Sequence, residues 1–125
     1  MIHESLELRD IGTRNGSQVF QLIRPCKFVT SFGEITVPLG FSTDGASVPR
    51  IFWTIFPPWG QYFGAAVLHD YLYSCTSTLL YDHFTRKDAD YLFLEAMYNL
   101  GVPKFTRHTI HAAVRAFGGN RYKKS

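Results

Sequence analysis

The chain has 125 residues, 46% of them hydrophobic and 18% charged, which suits one folded domain and excludes an intrinsically disordered segment. No apolar run approaches the ~20 residues that span a bilayer, and the opening MIHESLELRD is acidic where a secretion signal would be basic, so synthesis in a reducing cytoplasm is expected. The net charge of +3 is uneven: residues 1–95 hold seven basic and ten acidic side chains, whereas residues 96–125 hold six basic ones and no acid, so an anionic partner would meet the C-terminal end.

The first 40 residues alternate apolar and polar positions, as half-buried strands do. Leu6 and Leu8 mark one strand and Val19 to Ile23 the next, with Asn15-Gly16 as the tight turn between them. Phe28 to Thr30 and Glu34 to Val37 form a second hairpin around Ser31-Phe32-Gly33, giving a small antiparallel sheet. Residues 41–60 are a loop rich in polar groups and then in aromatic ones; the aromatic stretch 51–63 is expected to close the core, with any exposed remainder an interface.

From residue 61 to 118 the spacing of apolar residues becomes three and four, and three helices are expected. The first runs from about Gln61 to Ser74. The second starts at an N-cap Thr85 with Asp88 closing a capping box, turns Ala89, Leu92, Phe93, Ala96, Met97 and Leu100 inward as its apolar face, and ends at Gly101. The third begins near Thr106, buries Ile110, Ala113, Val114 and Phe117, and stops at Gly118-Gly119. The reading is a single α+β domain over 1–125, strands first and helices last, with a basic tail at 119–125. Cys26 and Cys75 are two ordinary thiols, too few for a disulfide framework.

His69 on the first helix shares its stripe with Tyr62, Ala65, Ala66, Leu72 and Tyr73, so its imidazole faces inward. Taken alone, such a histidine is a satisfied core residue. Asp90 on the second helix also falls on an apolar stripe, where a carboxylate must be paired. About ten residues join the helices, which favours an antiparallel hairpin. If the two groups meet, Asp90 accepts the ring N–H of His69, fixes its tautomer and raises its basicity, the relation that general-base catalysis needs. Asp70 is then available for a metal or a cationic group, whereas Asp88 serves its cap. The loop Phe41 to Arg50 brings Asp44, Ser47 and Arg50 between strands and helices, either as turn-forming groups or as site residues. Lys104, His108, His111 and Arg115, with Arg107 beside them, fall on one basic stripe, which is a solvated face or a contact for the phosphates of nucleic acid or lipid.

The segments FSTDGASVPR (41–50), PPWG (57–60), AAVLHDYLY (65–73), RKDADYLFLEAM (86–97) and AVRAFG (113–118) resemble, in order and spacing, a family of tailed phages and prophages, the domain-of-unknown-function family DUF1353. The resemblance covers about Val37 to Gly118 and implies a phage setting, with the host cytoplasm and the virion as locations and virion proteins among the partners. His69, Asp70 and Tyr73 are also similar to the His-Asp-x-x-Tyr helix of A-two phospholipases, in which the His activates water, the adjacent Asp holds calcium and an Asp from a second helix orients the His. The cysteines that flank that motif and its glycine-rich calcium loop are missing here. The expectation is a hydrolase-like domain with His69 as base, Asp90 as orienter, Tyr73 as a supporting catalytic group, Asp70 and Asp44 as ligands for Ca2+ or Zn2+, and Ser47 and Arg50 near the substrate. The alternative is a non-catalytic virion or partner-binding protein in which the His/Asp cluster only fixes helix register.

Overall fold

The computed structural model describes residues 2–3, 6–14, 16–43, 63–74 and 85–117, and the chain divides into two compact units, Met1–Asp44 and Gly45–Ser125. In the first unit, β1 is Ile2–His3, β2 Leu8–Arg14, β3 Ser17–Leu22, β4 Cys26–Thr30, β5 Gly33–Val37 and β6 Ser42–Thr43. The two expected hairpins are present as β2/β3 and β4/β5, each antiparallel.

They do not share one sheet. Two three-stranded sheets form instead, ordered β1-β4-β5 and β2-β3-β6. The break falls at Ile23-Arg24-Pro25, between β3 and β4, where the proline has no N–H to extend a ladder and all three residues are exposed. In β4 and β5 the alternation read from sequence is realised, since Cys26, Phe28, Ile35 and Val37 are buried while Val29, Glu34 and Thr36 face outward. Thr30, also buried, is satisfied locally: its hydroxyl donates to the Gly33 carbonyl at 2.7 Å and accepts from the Phe32 N–H at 3.0 Å. In β2 the pairing register shifts between Asp10 and Thr13, and Gly12 takes φ +101° there, a conformation that L side chains rarely adopt.

The second unit holds α1 (Phe63–Tyr73), α2 (Arg86–Asn99) and α3 (Lys104–Phe117). Every residue of α1 except Asp70 is buried, as expected for a helix that is apolar on all sides and therefore central. The capping box of α2 is formed in full: Thr85 Oγ1 accepts from the Asp88 N–H at 3.1 Å, and Asp88 Oδ2 accepts from the Thr85 N–H at 3.0 Å. Gly101, at φ +89°, follows the Leu100 cap and lets the chain turn out of α2. α3 starts two residues earlier than its apolar spacing suggests, because the carbonyl of Pro103 accepts from the Arg107 N–H at 2.9 Å and so joins the first turn. Its inward face is Ile110 and Val114, both 0% exposed; of the other two positions expected to be buried, Ala113 is half-buried and Phe117 is 75% exposed at the helix end. Among the described residues no helix is long and apolar enough to cross a membrane.

Candidate functional site

Contacts between α1 and α2 run in opposite order along the two helices, Tyr73 meeting Arg86 and His69 meeting Asp90 and Phe93, so the pair is antiparallel. This arrangement puts the two inward polar groups against each other. His69 Nε2 lies 2.7 Å from Asp90 Oδ1, and both side chains are fully buried. The Tyr73 hydroxyl donates to the same oxygen at 2.5 Å. Tyr73 stands one helical turn beyond His69, with ring centroids 4.2 Å apart, and Phe93 lies against the imidazole at 4.5 Å.

The other carboxylate oxygen is held by cations. Arg115 Nη1 donates to Asp90 Oδ2 at 2.8 Å, and Arg86 Nε stands 3.9 Å from it, one helical turn before Asp90 on α2. The same Nε donates to the Tyr73 hydroxyl at 3.2 Å. Arg86 Nη2 reaches further, to the carbonyls of Val114 and Arg115 at 2.7 and 2.8 Å. These carbonyls belong to the last turn of α3, where a cation also complements the negative end of the helix dipole.

The electrostatics follow from this packing. Burial alone would push the Asp90 carboxyl upward, but the bonds from His69 and Tyr73, together with Arg115, hold it below the usual carboxylate range. Asp90 is therefore a carboxylate at neutral pH, and Nε2 of His69 donates to it. Tyr73 is driven far above the usual phenol range, first by burial and then by the Asp90 carboxylate, with Arg86 opposing. Its folded state thus binds the phenolic proton more tightly than the unfolded chain does. That contribution is complete below about pH 10 and is lost as the pH rises from there towards the folded value. Denaturation measured between about pH 9 and pH 12 is expected to show a steeper alkaline loss of stability for the protein than for Tyr73→Phe; equal slopes would contradict the assignment.

Of the residues singled out by sequence, His69, Asp90 and Tyr73 come together, and Asp70 follows His69 on α1 as the one half-buried residue of that helix. Asp44, Ser47 and Arg50 lie outside the described residues, as do Cys75 and the aromatic stretch from 51 to 62. The described residues contain no group of three His, Cys, Asp or Glu side chains that would hold a metal ion. The five positions of the basic stripe differ in their surroundings. Arg115 turns to Asp90, Arg107 donates to the Val102 carbonyl at 3.2 Å and lies over the Tyr98 ring at 5.0 Å, and His111 is half-buried. Lys104, His108 and Arg115 are exposed. Steps of four and three fix only where the Cα atoms lie, and an arginine is long enough to reach back over the helix from there.

Arg86 and Phe93 were not among the sequence candidates for the site. The i,i+4 spacing of Arg86 and Asp90 was the available signal for the first, since an inward carboxylate needs a cation within one helical turn.

Residues 20–114 match the family described as "Protein of unknown function (DUF1353)". The chain is also similar to the uncharacterized protein y4jT of Sinorhizobium fredii (strain NBRC 101917 / NGR234), at 36% identity over 84 residues, which is 66% of this chain and 23% of that protein. The chain therefore spans about a quarter of the length of this curated relative. No solved structure matches it.

Proposed function

The chain belongs to the DUF1353 family, whose description names no activity, and from the geometry of its site we propose that it is a small hydrolase-like protein with His69 as general base. The observation that carries this reading is the 2.7 Å contact of His69 Nε2 with a carboxylate that also holds Tyr73. In this reading His69, oriented by Asp90, takes a proton from water as the water oxygen attacks an ester carbon, and the imidazolium that forms is stabilised by Asp90 until its proton passes to the leaving oxygen. A phospholipid-type ester is the substrate class suggested by the similarity of His69, Asp70, Tyr73 and Asp90 to the phospholipase helix pair.

A divalent cation, Ca2+ or Zn2+, held by Asp70 with Asp44, belongs to the same reading and would polarise the ester carbonyl. The phage or prophage setting, with synthesis in the host cytoplasm and association with the virion, rests on the motif resemblance.

A second reading is favoured by the complete burial of His69 and Asp90 and by the two arginines on the carboxylate: a non-catalytic protein in which the network fixes the register of the three helices. His69→Asn separates the two when ester and short-chain phospholipid hydrolysis are assayed with and without added Ca2+ or Zn2+. A hydrolase loses at least about 100-fold in rate and keeps its fold. If the unmodified protein hydrolyses nothing while the variant loses about 2 kcal/mol of stability, the network is structural.

A further inference from the structure

Among the described residues, the charges around Asp90 do not balance. One carboxylate faces two guanidinium groups on the same oxygen, Arg115 at 2.8 Å and Arg86 at 3.9 Å, while its other oxygen is filled by His69 and Tyr73. The dipole at the end of α3, which Arg86 also meets, offsets about half a unit charge. A net positive side is left.

That side reaches solvent. The Arg86 and Arg115 side chains are 25% and 38% exposed, although the carboxylate between them is fully buried. A guanidinium carries five N–H donors in a rigid fork. Arg115 gives one nitrogen, Nη1, to Asp90, and Arg86 gives Nε and Nη2 to Tyr73 and the α3 carbonyls. Nε and Nη2 of Arg115 and Nη1 of Arg86 remain as donors. Two like charges drawn to one buried oxygen repel each other, and an anion bridging their outer nitrogens would relieve that repulsion. His111 lies one helical turn before Arg115 on α3, hence on the same face of the helix, and is half-buried.

We propose that Arg86 and Arg115, with His111 beside them, bind the phosphoryl group of a ligand next to the His69–Asp90 pair. Two guanidinium forks drawn to the same carboxylate oxygen suit a tetrahedral phosphoryl group, which offers acceptor oxygens to both. The inference rests on the hydrolase reading only in taking that ligand to be the substrate; the binding itself does not depend on catalysis.

Titration of the whole protein with inorganic phosphate, followed by calorimetry at low ionic strength, tests it. Saturable binding is expected, weakened about tenfold or more in Arg115→Gln, which loses charge-assisted bonds, and changed less than about twofold in Lys27→Gln, whose amine pairs with Glu34 in the strand unit. Arg115→Lys keeps the charge without the fork and should bind between the two, which guards against a fold defect in Arg115→Gln. Glycerol phosphate and vesicles of phosphatidylglycerol distinguish a soluble phosphate ester from a lipid headgroup. His69→Asn should abolish hydrolysis and retain phosphate binding, so the failure of one reading is visible apart from the other. Absence of saturable phosphate binding, or equal binding by Arg115→Gln, overturns the proposal.

Discussion

Asp90→Ala is expected to lower the stability of the protein by about 3–5 kcal/mol, because it removes one partner from a buried charged network and leaves the others unpaired. His69 Nε2, the Tyr73 hydroxyl and Arg115 Nη1 all donate to this one carboxylate. Each would be left facing a small cavity instead of an acceptor. Urea denaturation of the protein and the variant at neutral pH measures the difference; a change below about 1 kcal/mol would mean that the three donors find other acceptors. The acid limb adds an independent check. Since the folded pKa of Asp90 lies below its unfolded value, its stabilisation is complete above the unfolded value of about 4 and disappears as the pH falls through the folded one. Asp90→Ala should therefore lose the steepest part of the acid dependence as well as the neutral-pH stability.

Phe93→Ala is expected to cost a similar amount, about 3–5 kcal/mol, by a different cause. Phe93 is fully buried and its ring lies 4.5 Å from the imidazole of His69 at an interplanar angle of 30°. Removing it opens a cavity beside α1 and withdraws the surface that, with Tyr73, confines the imidazole plane. Phe93→Leu fills most of that volume and should recover more than half of the loss in denaturation experiments. If the protein hydrolyses esters, the leucine variant should still be slower than its stability implies, because a base misplaced by a fraction of an ångström transfers protons less well.

Much of the helical half is legible from residue types alone. Thr85 and Asp88 announce a helix start through short-range hydrogen bonds that depend on four consecutive residues, and the structure forms both. The meeting of His69 with Asp90 is legible for a related reason: two polar groups on apolar stripes of an antiparallel pair have few partners except each other. The roles of Arg86 and Arg115 are less so. Arg115 lies twenty-five residues from Asp90 in sequence, and its reach inward depends on how α3 is turned about its own axis, which Ile110 and Val114 set by packing rather than by any local signal. In the strands, Pro25 was visible, but a proline's power to separate β3 from β4 depends on which strands are available to pair on either side.

Arg86 extends from α2 to the carbonyls that end α3, and Arg115 extends from α3 to the carboxylate of α2, so each helix supplies the other's missing counterpart. A terminal helical turn ordinarily frays at little cost and independently of its surroundings. Here, unwinding the last turn of α3 would uncover Asp90 and strip Arg86 of two acceptors in one event. The end of this helix is thereby bound to the middle of its neighbour, and a change of sequence at either arginine will be felt as a change at both.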